Sequence, residues 1–264
     1  MLFVYITIII VFFKKEYMHM NSDDKINYIY NIFNKNGIQL NKKQCEQFVL
    51  YYELLVDWNS RINLTSIIEF EDVVLKHFID SSVLLTLTDV SRETIKGKLI
   101  DIGTGAGFPG IPLKIIDPSL KVTLLDALNK RITFLRCVCD SLKINDVKLV
   151  HMRAEDAASN PMYREKYDVC VSRAVANMAT LTEYCLPFIH KSGYFLAYKS
   201  GEIDEEVNEA KKCIKVMGGE IKKIEKFILP DSDITRSMVM IRKVENTPKK
   251  YPRKAGTPGK HPIK

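Results

Sequence analysis

Lys98-Leu99-Ile100-Asp101-Ile102-Gly103-Thr104-Gly105-Ala106-Gly107-Phe108-Pro109-Gly110 is the stretch that decides the fold. A short β-branched run ends at a glycine and is followed by two more at alternate positions. Pro109, Gly110 and Pro112 come next. The apolar run reads as a buried strand. The glycines read as a sharp turn that lets backbone N–H groups approach a ligand closely. The prolines suit the first turn of a helix, where a missing donor costs little. Strand, glycine turn and helix in that order open an α/β unit, with ligands expected beyond the carboxyl end of the strand.

Working outward, further short apolar runs fall at 121–126, 147–152, 167–172 and 193–200, after the first at 98–103. Helical stretches are expected between them, at 110–117, 129–142, 176–190 and 203–217. This alternation is the sequence form of a parallel sheet with helices on both faces. Two more strand candidates, 220–229 and 237–244, follow with no helix between them and should pair antiparallel at one edge. The fold class is therefore α/β, a mostly parallel seven-stranded sheet closed by a C-terminal hairpin, which is the strand arithmetic of the Rossmann-like methyltransferase fold. Upstream, Phe48, Tyr52, Leu55 and Val56 keep helical spacing, as do Val73, His77 and Asp80 to Leu84. Residues 20–90 thus read as an N-terminal helical segment, 91–244 as the sheet domain and 245–264 as a tail.

The chain has 264 residues, 46% hydrophobic and 27% charged, which excludes wholesale disorder and a multi-pass membrane protein. Its net charge of +7 is uneven. From Arg242 to Lys264 there are eight basic residues and one acid, Glu245, so the last strand's end and the tail together carry the whole surplus. A neutral body with a basic end suggests a polyanionic partner. The tail, rich in proline and glycine, should be extended or irregular, either solvated or serving as a nucleic-acid arm. Lys249, Lys250, Arg253 and Lys254 would then meet phosphates, and Tyr251 would stack on a base. At the other end, Leu2 to Phe13 is apolar but shorter than the ~20 residues of a spanning helix. Residues 1–19 are read as an extension ahead of a start at Met18 or Met20, with no membrane role. The six cysteines form no CxxC pair and no zinc spacing, and no metal site is expected.

Several strand ends carry candidate ligand groups. Asp126, ending the second strand, can accept ribose hydroxyls or cap the next helix. Arg153-Ala154-Glu155-Asp156, after the third, fits an adenine edge held by a backbone amide and a carboxylate. Arg173 ends the fourth strand and Lys199 the fifth, where Lys199 could meet a phosphate. Gly105, Gly107 and Gly110 formally satisfy G-x-G-x-x-G, so a nicotinamide cofactor is an alternative. The absence of a second catalytic domain and the terminal hairpin argue against it. His77 reads as a packed, hydrogen-bonded residue rather than a proton carrier.

Taken together, these residues resemble the bacterial 16S ribosomal RNA guanine-N7 methyltransferase family (RsmG, also called glucose-inhibited division protein B). The matching segments are Trp58-Asn59 with Asn63-Leu64-Thr65, His77 with Asp80-Ser81, the glycine turn, LLDALNKRITFL, RAED, SRAVANM, YKSG and YPRKAGTPGKHP. The resemblance runs from about Met20 to the C-terminus. It implies S-adenosylmethionine as cofactor, around which it places Gly103, Gly105, Phe108, Asp126, Ala154, Glu155 and Arg173. The implied substrate is N7 of one guanine in the 530 loop of 16S ribosomal RNA, free or in the small subunit, acted on by a cytoplasmic monomer. No residue is assigned as catalyst, because N7 has a lone pair and no proton to remove. Arg173 and Lys199 are positioning candidates, and Lys199 also an RNA contact. An NAD(P)-dependent oxidoreductase and a non-catalytic RNA-binding protein are the competing readings.

Overall fold

Seven strands form one sheet in the order β3-β2-β1-β4-β5-β7-β6. They are β1 (Lys98–Ile102), β2 (Lys121–Asp126), β3 (Val147–His151), β4 (Tyr167–Arg173), β5 (Ile189–Ser200), β6 (Gly219–Ile228) and β7 (Thr235–Lys243). The computed structural model describes residues 20–87, 95 and 97–264. The apolar run at 2–13 and the segment boundary near residue 90 lie outside the described residues. β1 to β5 pair in parallel, and β7 runs antiparallel to both β5 and β6. The terminal hairpin therefore adds its second strand on the inside, and β6 forms the edge opposite β3. Strand order reverses between β1 and β4, which puts the switch point beside the glycine turn.

Helices cover both faces. α1 (Ser22–Lys35), α2 (Lys42–Ile62), α3 (Phe70–Val73) and α4 (Asp80–Ser82) make up the N-terminal segment. α5 (Gly110–Ile116), α6 (Asn129–Leu142), α7 (Ala154–Ser159), α8 (Met178–Cys185), α9 (Asp204–Val216) and α10 (Thr257–Lys260) follow. The strands are apolar on both sides, and alternate residues feed two separate cores. Leu99, Val169, Val171, Leu196 and Met240 pack with Phe33, Phe48, Tyr51 and Phe78 of the N-terminal segment. Ile100, Cys170, Phe195, Ala197 and Ile241 face Leu181, Phe188 and Val207 on the other side. Residues 20–87 thus share a core with the sheet rather than forming one of their own.

Local chemistry explains where the elements start and stop. Asn41 and Gln44 form a capping box at the start of α2. Gln44 then donates from Nε2 to the carbonyls of Ile115 and Ile116 at 2.8 and 3.0 Å, satisfying the end of α5. Pro187 follows closely on α8, which stops at Cys185 instead of reaching 190 and passes through a 3-10 turn (Leu186–Phe188) into an early β5. Between α3 and α4 the chain forms a π-helical turn, Val74–Ile79.

The tail is irregular as expected up to the short helix at its end, but it is not solvated. Residues after β7 dock back across α7 and α8 and end in the short helix α10. Arg253 meets the buried carboxylate of Glu183 through its backbone N–H and its guanidinium, at 2.8 and 2.6 Å. Arg164 donates to the carbonyls of Thr247 and Tyr251 at 2.7 and 2.8 Å. Thr180 donates to the Pro258 carbonyl at 3.0 Å, and Gly256 N–H to Glu155 at 2.8 Å. Proline and glycine here shape a specific path, and buried side chains of the body supply the partners that an isolated tail would lack.

Candidate functional site

The glycine turn begins where β1 ends. Thr104 Oγ1 and Gly110 N–H both donate to Asp101 Oδ2, at 2.7 and 3.0 Å, and so fold the turn over the buried carboxyl. The other oxygen, Oδ1, is buried with no hydrogen-bond partner. Burial pushes the Asp101 carboxyl up to about 7, against the pull of those two hydrogen bonds. Gly105 has φ of 60°, and the space where a side chain would start is open. Gly107 is glycine for the opposite reason: a Cβ would lie 2.7 Å from the hydroxyl of Tyr51 and from Ile111. Tyr51 donates from that hydroxyl to the Ala106 carbonyl, which braces the turn from α2.

Asp126 pins the turn to the neighbouring unit. Its Oδ2 accepts from Gly105 N–H at 3.0 Å and from Arg131 at 3.2 Å, and its Oδ1 accepts from Leu128 N–H at 2.9 Å. Of the carboxylate's four acceptor positions, about one stays open. A ribose would therefore gain one hydroxyl contact directly and a second by displacing Arg131. Glu155, in α7, is also buried, but its Oε1 takes the Gly256 N–H of the tail. Ala154 opens α7, half-buried.

A second group of side chains lies on the other side of Phe108. His77 stacks on the Phe108 ring, with centroids 4.5 Å apart and planes 21° from parallel. The Arg173 guanidinium stands 5.2 Å from the same ring centroid. Arg173 donates to Asp80 Oδ2 at 2.8 Å, to the Lys76 carbonyl in the π turn at 3.0 Å, and to His77 Nδ1 at 3.1 Å. The Arg173 contact calls for a lone pair on Nδ1, whereas the Lys76 carbonyl, 3.1 Å from the same nitrogen, calls for a proton there, and Nε2 lies 2.9 Å from Thr65 Oγ1. Burial, reinforced by Arg173, pulls the His77 pKa down to about 4, and the ring is neutral. Thr65 is held in turn through its backbone N–H, which donates to Asn59 Oδ1 at 2.8 Å. The Trp58-Asn59 and Asn63-Leu64-Thr65 segments thus orient His77, and through it Arg173.

The remaining sequence candidates scatter. The Lys199 side chain is 14% exposed, and its Nζ donates to the Ala176 carbonyl at 3.0 Å and pairs with Glu206 at 2.6 Å. Lys249, Lys250 and Lys254 are exposed on the docked tail. Tyr251 is half-buried against the α8 side of the sheet, with the Lys250 ammonium 5.3 Å from its ring centroid. Arg253 faces Glu183 rather than solvent. Sequence reasoning missed Arg236, which donates from Nε to Asp80 Oδ1 at 2.9 Å. It lies inside β7, where alternation signals only a strand. Tyr51 was missed as well, because it reads as one more apolar face residue of α2. Among the described residues, no group of His, Cys, Asp or Glu is arranged to hold a metal ion.

A family model described as GidB, rRNA small subunit methyltransferase G, matches residues 44–235. The chain belongs to this family. The ribosomal RNA small subunit methyltransferase G of Clostridium novyi (strain NT) is 47% identical over 245 residues, covering 92% of this chain and 100% of the relative. That of Alkaliphilus oremlandii is 50% identical over 228 residues, covering 86% and 94%. Among solved structures, a mutant of MtNAS in complex with S-adenosylmethionine aligns with a TM-score of 0.51 at 13% identity, over 85% of this chain and 80% of that one. This last likeness concerns the fold alone. The sheet of this chain is seven-stranded and Rossmann-like, and its glycine turn fits the cofactor implied by the resemblance. The turn is open above Gly105, and the unpartnered Oδ1 of Asp101 beneath it suits a ligand that carries positive charge.

Proposed function

We propose that this chain transfers the methyl group of S-adenosylmethionine to N7 of a guanine in the 530 loop of 16S ribosomal RNA. The observation that carries this reading is the open glycine turn above the part-orphaned Asp101, in a chain of the small-subunit rRNA methyltransferase G family. S-adenosylmethionine, when bound, supplies an electrophilic methyl group on a sulfonium. On this reading Gly103, Gly105, Phe108, Asp126, Ala154 and Glu155 hold it, with Arg173 at its border.

The chain's own part is positioning. Guanine N7 offers a lone pair and carries no proton, so no general base is needed. His77 agrees with that, since both ring nitrogens are engaged and its pKa near 4 leaves it neutral at pH 7. Rate then comes from holding N7 at attack distance and in line. Residues 20–90 brace the site through Tyr51, Thr65 and His77. Residues 91–244 carry it, and 245–264 lock α7 and α8 while offering Lys249, Lys250 and Lys254 to RNA.

The working form is taken to be a cytoplasmic monomer. Among the described residues no helix is long and apolar enough to cross a membrane. Transfer of labelled methyl to unmethylated 16S rRNA and to small subunits, with the modified base mapped, tests the whole reading. Methylation at a guanine N7 in the 530 loop is expected, and label on another base or none overturns it.

A further inference from the structure

A cavity of about 300 Å³ opens at the carboxyl ends of β4 and β5, beside the first residues of β7. His77, Asp80, Arg173, Ser200 and Arg236 contribute to its wall. Asp80 is 3% exposed and shares its two oxygens between two guanidiniums, Arg173 at 2.8 Å and Arg236 at 2.9 Å. One carboxylate against two arginines leaves one positive charge uncompensated. The other cations on the wall are already matched, Lys199 by Glu206 at 2.6 Å and Lys76 by Asp72 at 2.7 Å. His77 is neutral.

The free donors can be located as well. Arg173 Nη1 serves the Lys76 carbonyl and Asp80, and Nη2 serves His77. Arg236 spends Nε on Asp80 and Nη1 on the Thr235 carbonyl, and Nη2 has no protein partner among the described residues. Asp80 thus holds the Arg236 fork in place by one nitrogen and leaves the far end to a ligand. A planar fork fixed in this way matches a phosphate better than a mobile lysine does.

Charge decides which part of the substrate belongs here. The methyl donor carries a sulfonium besides an amino-acid group whose carboxylate is balanced by its own ammonium, and the methylated base becomes a cation. Neither gains from a wall with surplus positive charge. The phosphodiester of the same RNA strand does. The cavity lies within one nucleotide's reach of the glycine turn, because Arg173 borders both and a Cβ on Gly103 would touch Val175, two residues beyond it.

We infer that Arg236, oriented by Asp80 and flanked by Arg173, grips a backbone phosphate of the RNA next to the target guanosine. The inference rests on the RNA methyltransferase reading and moves the phosphate contact from Lys199, which is engaged elsewhere, to Arg236.

Arg236→Gln tests it, since glutamine can still donate to Asp80 but brings no charge. The readouts are methylation kinetics and binding across a salt series, on whichever substrate the wild type modifies, naked 16S rRNA or the small subunit. The RNA KM should rise roughly tenfold and log K should fall less steeply with log salt, by about 0.7 for one single-strand phosphate. The kcat at saturating RNA and the affinity for S-adenosylmethionine should stay near wild type. Arg236→Lys should recover the salt slope, because it restores the charge, and only part of the affinity. If the wild type methylates RNA while Arg236→Gln keeps its KM and slope, the phosphate grip is wrong. If cofactor affinity falls as the RNA KM rises and the lysine variant recovers nothing, Arg236 is a structural strut and the inference is again overturned. A wild type that methylates neither substrate sinks the parent reading instead.

Discussion

The C-terminal tail gathers six basic residues into positions 245–264, whereas the cavity wall draws Lys76, Arg173, Lys199 and Arg236 from four distant stretches. The tail dominates any charge count along the chain, yet its Arg253 is spent on Glu183 and its Lys264 on Glu209, while Lys249, Lys250 and Lys254 lie exposed. The cavity is invisible in such a count, yet it holds two guanidiniums fixed by one carboxylate. Charge available to a ligand depends on how many cations share each acid in space, not on their density in sequence. The glycine turn completes the contrast with the opposite sign: Asp101 is a buried acid with an unpartnered oxygen, an environment suited to a cation.

The largest expected effect tests the docked tail. Arg253→Ala strips from Glu183, which is 1% exposed, its only side-chain cation among the described residues and should cost about 3 kcal/mol in urea unfolding. A loss below half a kcal/mol would mean that the tail is a free arm after all. Next, ending the chain at Val244 removes the Gly256 N–H from Glu155 and uncovers α8. Affinity for S-adenosylmethionine should fall roughly tenfold by calorimetry, in keeping with one lost bond to a buried charged group. Unchanged cofactor affinity with weakened RNA binding would restore the arm reading.

The third test exploits Asp101. The folded protein keeps its proton up to about pH 7, whereas an unfolded chain releases it near pH 4. The folded state therefore binds the extra proton in that window. The stabilising contribution of this group is fully present below pH 4 and is lost as pH rises through 7. Thermal melts of Asp101→Asn should lose that portion of the pH dependence. A cationic ligand should also release the proton, which buffers of different ionisation enthalpy would reveal in titration calorimetry. The smallest effect belongs to the tail's surface. Lys249→Ala with Lys250→Ala should change stability by less than about 0.5 kcal/mol. The same pair should weaken RNA binding less than Arg236→Gln does; the reverse order would return the tail to first place.

Much of this was legible in the sequence where periodicity or a turn announced it. The first strand, the glycine turn and β2 follow from apolar runs and from glycines with no room or need for a side chain. The placing of Asp126 at the end of β2 was legible too, although its Oδ1 takes the Leu128 N–H ahead of α6 and the helix itself has no side-chain cap. Partnerships across long separations were not legible. Glu183 looks like any acid on a helix until Arg253, seventy positions later, lands on it. Arg236 looks like an ordinary strand residue until β7 slots in next to β5 and brings it to Asp80. The π turn that presents the Lys76 carbonyl has no local signature in Val74-Leu75-Lys76-His77-Phe78-Ile79.

The strand order also sets a timetable for synthesis. Gly103 leaves the ribosome well over a hundred residues ahead of Arg236, and β6 reaches the sheet only through β7, which pairs with both β5 and β6. A nascent chain can shape its glycine turn while the second guanidinium is still unmade. The same late strand separates a chain that can hold a small ligand from one equipped to grip RNA, so interrupted products would be poor competitors for the ribosomal substrate.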